Sequence, residues 1–412
     1  MNKMTFTLKT GSFEGMRSLN QSSVLNLIRL REPISRAEIA KITKLTRPTV
    51  GDIVSNLVEQ NLVIEKESNS SKQGGRRPIM LSINYKARYI IGVYAAAEII
   101  RVSLTTMDGH IVYNLSKELE TLPSKEDFIT LIKESIYSVL ENSKADKSLI
   151  IGIGFAMHGL VNPDKGLAIF SPHLHLENMP IKEILEQEFH LPVTLENDVR
   201  ALAMAESWFG QGKGVSDFIC ISVGRGIGSG IVMNSEIYKS SFHTAGEIGH
   251  TVLDVNGPMC ECGNNGCLEA YASEAAILKK VHKGLDSAED SILKEWVKAD
   301  RSNLSIELIF KAAEKGDPLA SLIVEQSAKS LGLATANLIN ILKPSKIILE
   351  GRIFEQGDLV ISCVKEMAGK YTIRSLEEEV DIVCSALGKK GMILGAVSVV
   401  VKKMFEAGGL NT

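Results

Sequence analysis

Gly246–Ala270 reads GEIGHTVLDVNGPMCECGNNGCLEA, a short loop carrying one histidine, three cysteines and three glutamates. His250, Cys260, Cys262 and Cys267 follow an H-x9-C-x-C-x4-C spacing. One imidazole and three thiolates form a donor set that suits tetrahedral Zn²⁺. Three of the chain's six cysteines fall within eight residues, and clustered thiols in a reducing compartment are metal ligands rather than disulfides. Cys220, Cys363 and Cys384 stand alone in apolar stretches and read as core. Glu247, His250 and Glu269 surround the expected metal, so a zinc staple here would also shape a small-molecule pocket.

The rest of the composition sets the frame. A chain of 412 residues with 44% apolar side chains builds two or three domains with ordinary cores. The opening MNKMTFTLKTGSFEG has no apolar segment of signal-peptide type, and no run approaches the ~18 apolar residues of a membrane span. Ile90–Ile100 comes nearest and contains Glu98. A cytoplasmic protein with no membrane partner is expected. Residues 1–85 carry six Lys and seven Arg against seven carboxylates, a surplus of six positive charges that leaves nine net negative charges on the remainder. A basic leading module before an acidic body points to a polyanionic partner.

Residues 1–85 have the pattern of a winged helix. Val24, Leu25, Leu27, Ile28 and Leu30 form an apolar stripe ending before Pro33. Ser35-Arg-Ala-Glu38 is a capping box that opens a second helix, running to about Ile42. Thr46 caps a third helix, with Pro48 tolerated in its first turn and Val50, Ile53, Val54, Leu57 and Val58 along one face. The turn between these two helices, about Thr43–Leu45, is as short as helix-turn-helix geometry requires. A wing follows: Leu62–Glu65 extended, a polar tip, Gly74-Gly75-Arg76-Arg77-Pro78, and Ile79–Ile83 returning. Paired guanidinium groups on a flexible tip suit a narrow minor groove. Candidate DNA contacts are Ser35, Arg36, Arg47, Thr49, Arg76 and Arg77.

From Tyr89 strands alternate with helices. Ile90–Val93, Val102–Leu104 and Ile150–Phe155 read as strands, Met107-Asp108-Gly109 as a hairpin turn, Phe128–Leu140 and Ile181–Phe189 as helices, and Leu191–Leu195 as the lead into the next segment. Glu196-Asn197-Asp198 opens an alanine-rich helix, Val199–Trp208. A second lobe begins near Phe218 with FICISVGRGIGSGIVM, a strand, glycine turn and strand. Glu274–His282 and Ser327–Leu342 follow as helices, Lys346–Leu349 and Asp381–Cys384 as strands. The expected division is a winged helix-turn-helix domain at 1–85, a first α/β lobe at 86–210, and a second α/β lobe with the zinc loop and a dimerisation surface at 211–412.

Five segments carry a resemblance: LENDVRALAMAE (195–206), VGRGIGSGIV (223–232), GEIGH (246–250), CECGNNGCLE (260–269) and GGRRP (74–78). Together they resemble the ROK family of repressors and sugar kinases, and especially its winged-helix repressors of xylose type. The resemblance implies an actin-like fold with a sugar site between two lobes, a homodimer, and zinc on His250, Cys260, Cys262 and Cys267. It places the sugar on Gly159, Asn197, Asp198, Glu247, His250 and Glu269. In the family's kinases the matching Asn-Asp pair holds hydroxyls and supplies the general base. Asp198 also reads as an ordinary helix cap.

Phosphoryl transfer needs donors and metal around the phosphates, and those parts are altered here. Where the kinases carry Asp-x-Gly-Gly-Thr, this chain has Tyr94-Ala95-Ala96-Ala97-Glu98. Their Gly-Thr-Gly turn is Gly224-Arg225-Gly226, and Glu350-Gly351-Arg352 replaces a run of glycines. Met157-His158 stands where a small residue and proline are usual, and His173 where asparagine is common. His173 and His175 read as rim or surface residues. The expected function is a non-enzymatic, sugar-responsive repressor whose partners are operator DNA, a monosaccharide such as xylose, and a second copy of the chain. An ATP-dependent sugar kinase with an added DNA-binding domain is one alternative, and a repressor controlled by protein sequestration is another.

Overall fold

The structure, a computed structural model, describes residues 13–67, 78–119, 121–171, 174–241, 243–288, 290–373 and 380–406. Six elements build the leading domain: α1 (Phe13–Arg31), β1 (Ile34–Ser35), α2 (Arg36–Thr43), α3 (Arg47–Glu59), β2 (Val63–Glu67) and β3 (Ile79–Ile83). The Ser35 hydroxyl accepts from the Glu38 amide while the Glu38 carboxylate accepts from the Ser35 amide, so the capping box forms. Thr46 caps α3 by accepting from the Thr49 amide. Val50, Ile53, Val54 and Leu57 bury one face of α3 against Leu25 and Ile28 of α1 and Ile39 of α2. Leu57→Ala there costs about 2–5 kcal/mol. β2 and β3 pair antiparallel from Val63 opposite Ile83 to Glu67 opposite Ile79, with β1 on the other side of β3. Arg76 and Arg77 lie outside the described residues.

The first lobe follows as β4 (Tyr89–Ala96), β5 (Ile99–Thr106), β6 (Ile111–Glu118), α4 (Lys125–Asn142), β7 (Ile150–Met157), β8 (Leu160–Asn162), β9 (Leu167–Ser171), β10 (Leu176–Met179), α5 (Ile181–Phe189), β11 (Val193–Asn197) and α6 (Asp198–Phe209). Its main sheet has the order β11-β7-β4-β5-β6, parallel across β11, β7 and β4 and antiparallel beyond. The Met107-Asp108-Gly109 turn joins β5 to β6. A second, three-stranded sheet of order β10-β9-β8 hangs beside it.

The second lobe comprises β12 (Phe218–Val223), β13 (Ile227–Met233), β14 (Glu236–Ile237), α7 (Leu268–Ala272), α8 (Glu274–Gly284), α9 (Ile292–Trp296), α10 (Ile306–Glu314), α11 (Pro318–Leu342), β15 (Lys346–Glu350), α12 (Leu359–Tyr371) and β16 (Asp381–Cys384), after which the chain returns to the first lobe as α13 (Gly391–Phe405). Its sheet runs β14-β13-β12-β15-β16. The last helix, α13, packs on the first lobe's sheet and on α6. The approach is close: a Cβ on Gly154 of β7 would lie 1.7 Å from the Ala396 carbonyl oxygen of α13. Only glycine admits that contact. Buried nearly all round as far as Val401, α13 carries Ile393, Val397, Val399, Val400 and Val401 inward, as an all-round apolar helix must.

Candidate functional site

The cleft between the lobes is built at the ends of strands. β7 ends at Met157, so His158 and Gly159 stand at its exit, and β11 ends at Asn197. Gly159 has φ +108°, and a Cβ there would lie 2.5 Å from the Phe170 carbonyl oxygen. The backbone therefore needs glycine at this turn. Asn197 caps α6: its Oδ1 accepts from the Val199 and Arg200 amides, each at 3.1 Å. Its Nδ2 donates to the Gly159 carbonyl at 3.2 Å and to Asp198 Oδ1 at 3.0 Å. One side chain thus fixes the pocket loop, the helix start and the neighbouring carboxylate. A buried Glu196–Arg200 ion pair, 2.7 Å from Nη2 to Oε1, anchors the same turn from behind.

Asp198 is buried and keeps only one oxygen busy with backbone: Oδ1 accepts from the Val199 amide at 2.9 Å. Oδ2 lies 3.6 Å from Nδ1 of His158. Burial works against a charged His158, but the Asp198 hydrogen bond and charge, with Glu269 and Glu247 behind them, outweigh it and raise the imidazole's pKa. Burial likewise pushes Glu247 above the usual carboxylate range, against the pull of His250, Arg200 and His158. Glu269 anchors through Oε2, which accepts from the Ile227 amide at 3.0 Å. The structure thus gathers Gly159, Asn197 and Asp198 from one lobe with Glu247, His250 and Glu269 from the other. His158 is the member absent from the sequence-derived set. Its signal was its place directly before Gly159.

Such a cluster has acceptors in three carboxylates and a donor in the His158 imidazole, while Asn197, its amide fully used, positions Asp198. That mixture matches a polyol, whose hydroxyls both give and take hydrogen bonds. A site built to pair hydroxyls rejects analogues that lack them, because its own buried groups would be left unpaired. His173 lies outside the described residues, and His175 is exposed beyond the pocket loop.

His250, Cys260, Cys262 and Cys267 bring their ligand atoms within 4.8 Å of one another. The Cys260 sulfur is 3.8 Å from His250 Nδ1, and the Cys262 and Cys267 sulfurs are 3.6 Å apart. Tetrahedral bonds of about 2.3 Å put neighbouring sulfurs about 3.8 Å apart. The cluster therefore fits a metal ion of zinc's size and taste. The loop is tied by bridges pairing Val252 with Cys267 and Met259 with Asn265. Cys267 directly precedes α7, whose first turn carries Glu269, so the cluster positions a cleft carboxylate.

On the far side of Asp198, toward the ends of β4, β12 and β15, the polar groups answer one another. Arg225 Nη1 meets Glu98 Oε1 at 3.3 Å across the lobes. Arg352 pairs with the buried Glu274 and with Glu307. Ser222 donates to Glu350 at 2.7 Å, and burial drives the Glu350 pKa up to about 7. Tyr94 lies between the fields of Asp198 and Glu350, its phenol held neutral mainly by burial.

The ROK profile matches residues 90–403, more than half of the chain. The protein belongs to the ROK family. A MarR-family profile matches residues 17–76, over the winged helix. Similar proteins include the xylose repressor of Caldicellulosiruptor bescii, 29% identical with 96% of this chain and 98% of that one covered. Among solved structures, a ROK family transcriptional regulator described as a homolog of E. coli MLC aligns with TM-score 0.84 and 26% identity, covering 96% and 98% of the two chains. A ROK family glucokinase from Streptomyces griseus, in complex with glucose and AMPPNP, aligns with TM-score 0.68 and 26% identity, covering 76% of this chain and 98% of that one. The architecture is an N-terminal MarR-like winged helix followed by the actin-like ROK domain of two lobes, as the sequence led us to expect.

At the DNA-reading end, the candidate contacts divide. Arg47 is exposed and Thr49 half-buried at the start of α3, where Thr49 Oγ1 shares a 2.8 Å hydrogen bond with Thr46. Ser35 is spent on its capping box, and Arg36 pairs with Glu65 of β2. No helix among the described residues is long and apolar enough to cross a membrane.

Proposed function

We propose that this ROK protein is a cytoplasmic, homodimeric transcriptional repressor of carbohydrate-utilisation genes that binds a monosaccharide in its cleft without phosphorylating it. Xylose is the first candidate effector and glucose the next. One observation carries the reading: Asp198, His158, Glu247 and Glu269 lie close enough to act on one another, while Arg225 pairs with Glu98, and Arg352 with Glu274, on the side where the family's kinases hold nucleotide.

Zinc on His250, Cys260, Cys262 and Cys267 would be structural, holding α7 and Glu269 against the pocket. Arg47 and Thr49 on α3 would face the major groove, and Arg76 and Arg77 the minor groove. Arg36 would join the major-groove set only by leaving Glu65, and Ser35 serves as the cap of α2. Two reading heads about 34–36 Å apart would span half-sites one helical turn apart. The sugar acts by binding one lobe arrangement better than the other, since equal binding shifts nothing.

The test is a gel shift with operator DNA across pentoses, hexoses and their phosphates. One sugar changing operator affinity in the purified protein supports the reading. Response only in the presence of a sequestering protein would favour control by protein sequestration, and sugar- and Asp198-dependent ATP turnover the kinase. Arg76→Ala with Arg77→Ala is expected to weaken operator binding roughly tenfold or more while sugar affinity stays unchanged. Equal operator affinity would remove the wing from the account.

A further inference from the structure

We propose that α6 is the lever between the sugar cleft and the DNA-reading head, and that Arg29 on α1 is the positioning residue that receives its motion through Trp208. This rests on the sugar reading above. The two ends of α6 do different work. Its N-terminal end, capped by Asn197, presents Asp198 to the cleft, and Trp208 stands in its last turn. The helix has 12 residues, which at about 1.5 Å each makes a rod of about 18 Å.

At the far end, the Arg29 guanidinium carbon lies 4.0 Å over the Trp208 ring and 5.6 Å from the Phe405 ring. Those two rings are themselves 5.3 Å apart, tilted by 56°. The Nε of Arg29 is buried and, among the described residues, has no hydrogen-bond partner. A half-buried cation held by an aromatic face depends on where that face points, because the attraction comes from the ring quadrupole. A small rotation of α6 thus changes what holds Arg29.

The contact is placed to move the head. Further along α1, Asn26 Nδ2 donates to the Phe405 carbonyl at 2.8 Å and Ser22 Oγ to the Glu406 carbonyl at 2.9 Å. Glu32, just past α1, accepts from the Ile83 amide and the Tyr85 hydroxyl, each at 2.7 Å, and so ties α1 to the base of the wing. The core of the head, with Leu25, Ile28 and Leu57, runs without a break into Ala201 and Leu202 of α6 and Val400, Met404 and Phe405 of α13. Packed cores pass on displacements rather than absorb them. A ligand pulling on Asp198 therefore acts at one end of a stiff element whose other end supports the reading head.

The chain has two tryptophans, Trp208 and Trp296, so Trp296→Phe leaves Trp208 as the sole reporter. In that background, D-xylose and then D-glucose are titrated by calorimetry and by tryptophan emission, with operator binding followed in parallel. Trp208 emission is expected to change along the calorimetric saturation curve. Arg29→Met is expected to keep sugar affinity within twofold, yet to shrink the sugar-induced change in operator affinity at least fivefold. Arg29→Lys, which keeps the cation, is expected to restore part of it. Retained sugar affinity shows that the variants fold. Sugar binding with a silent Trp208, or full coupling in Arg29→Met, overturns the lever while leaving the sugar reading intact. No heat from any sugar across the pentose and hexose panel overturns both.

Discussion

The two halves of the interlobe cleft treat charge differently. On the side proposed to take sugar, Asp198 keeps Oδ2 turned to His158 at 3.6 Å, with the charges of Glu247 and Glu269 also acting on that imidazole. On the nucleotide side, Glu98 meets Arg225, Arg352 meets Glu274 and Glu307, and Glu350 meets Ser222. A working site leaves hydrogen-bonding capacity for its ligand. On the proposed reading the other side has closed on itself, its carboxylates Glu274 and Glu350 taken up by Arg352 and Ser222, because buried groups without partners are costly.

The largest expected effect sharpens the sugar half. Structural zinc binding is worth about 10 kcal/mol or more, so Cys267→Ser should lose the metal by elemental analysis and with it the sugar response. A variant that keeps full response without metal would detach the loop from the pocket. Next comes Asp198→Ala, for which calorimetry should show sugar affinity falling about 100-fold, or ~2.7 kcal/mol, with operator binding unchanged. His158→Ala should lose about tenfold. An unchanged titration in either variant would take that residue out of the site.

The nucleotide half gives smaller effects. Glu350 ionises near pH 7 when folded because burial opposes its charge, whereas unfolded it ionises near 4.3. The folded state therefore holds an extra proton between those values, so stability is expected to fall as pH rises through that window and then level off. Glu350→Gln removes the charge and should gain about 1–3 kcal/mol at pH 8 with little change at pH 4, measured by denaturant melts. A gain that is the same at both pH values would deny Glu350 that role. Smallest is Glu98→Gln. Its partner Arg225 and Glu98 itself are 53% and 72% exposed, so the loss should be within about 0.5 kcal/mol. A larger loss would mean the pair clamps the lobes shut.

Much of this was legible in the chain. Ile181–Phe189 and Asp381–Cys384 were read with the bounds they have, since each pairs a clean apolar pattern with clear breakers. The Thr46 cap and the cysteine spacing were equally direct, being short-range chemistry. Other parts depended on tertiary context. β6 alternates half-buried with exposed residues and gives only a faint signal at the sheet edge. The valine run of α13 has strand propensity, and only burial between a sheet and α6 makes it a helix. His158 belongs to the site because Asp198, forty residues later, folds up beside it.

Calorimetry of the purified, zinc-loaded protein with D-xylose, D-glucose and Mg-ATP in separate titrations tests the central claim most directly. Saturable heat from a sugar and none from Mg-ATP is the expected result. Saturable Mg-ATP binding between the lobes would contradict it.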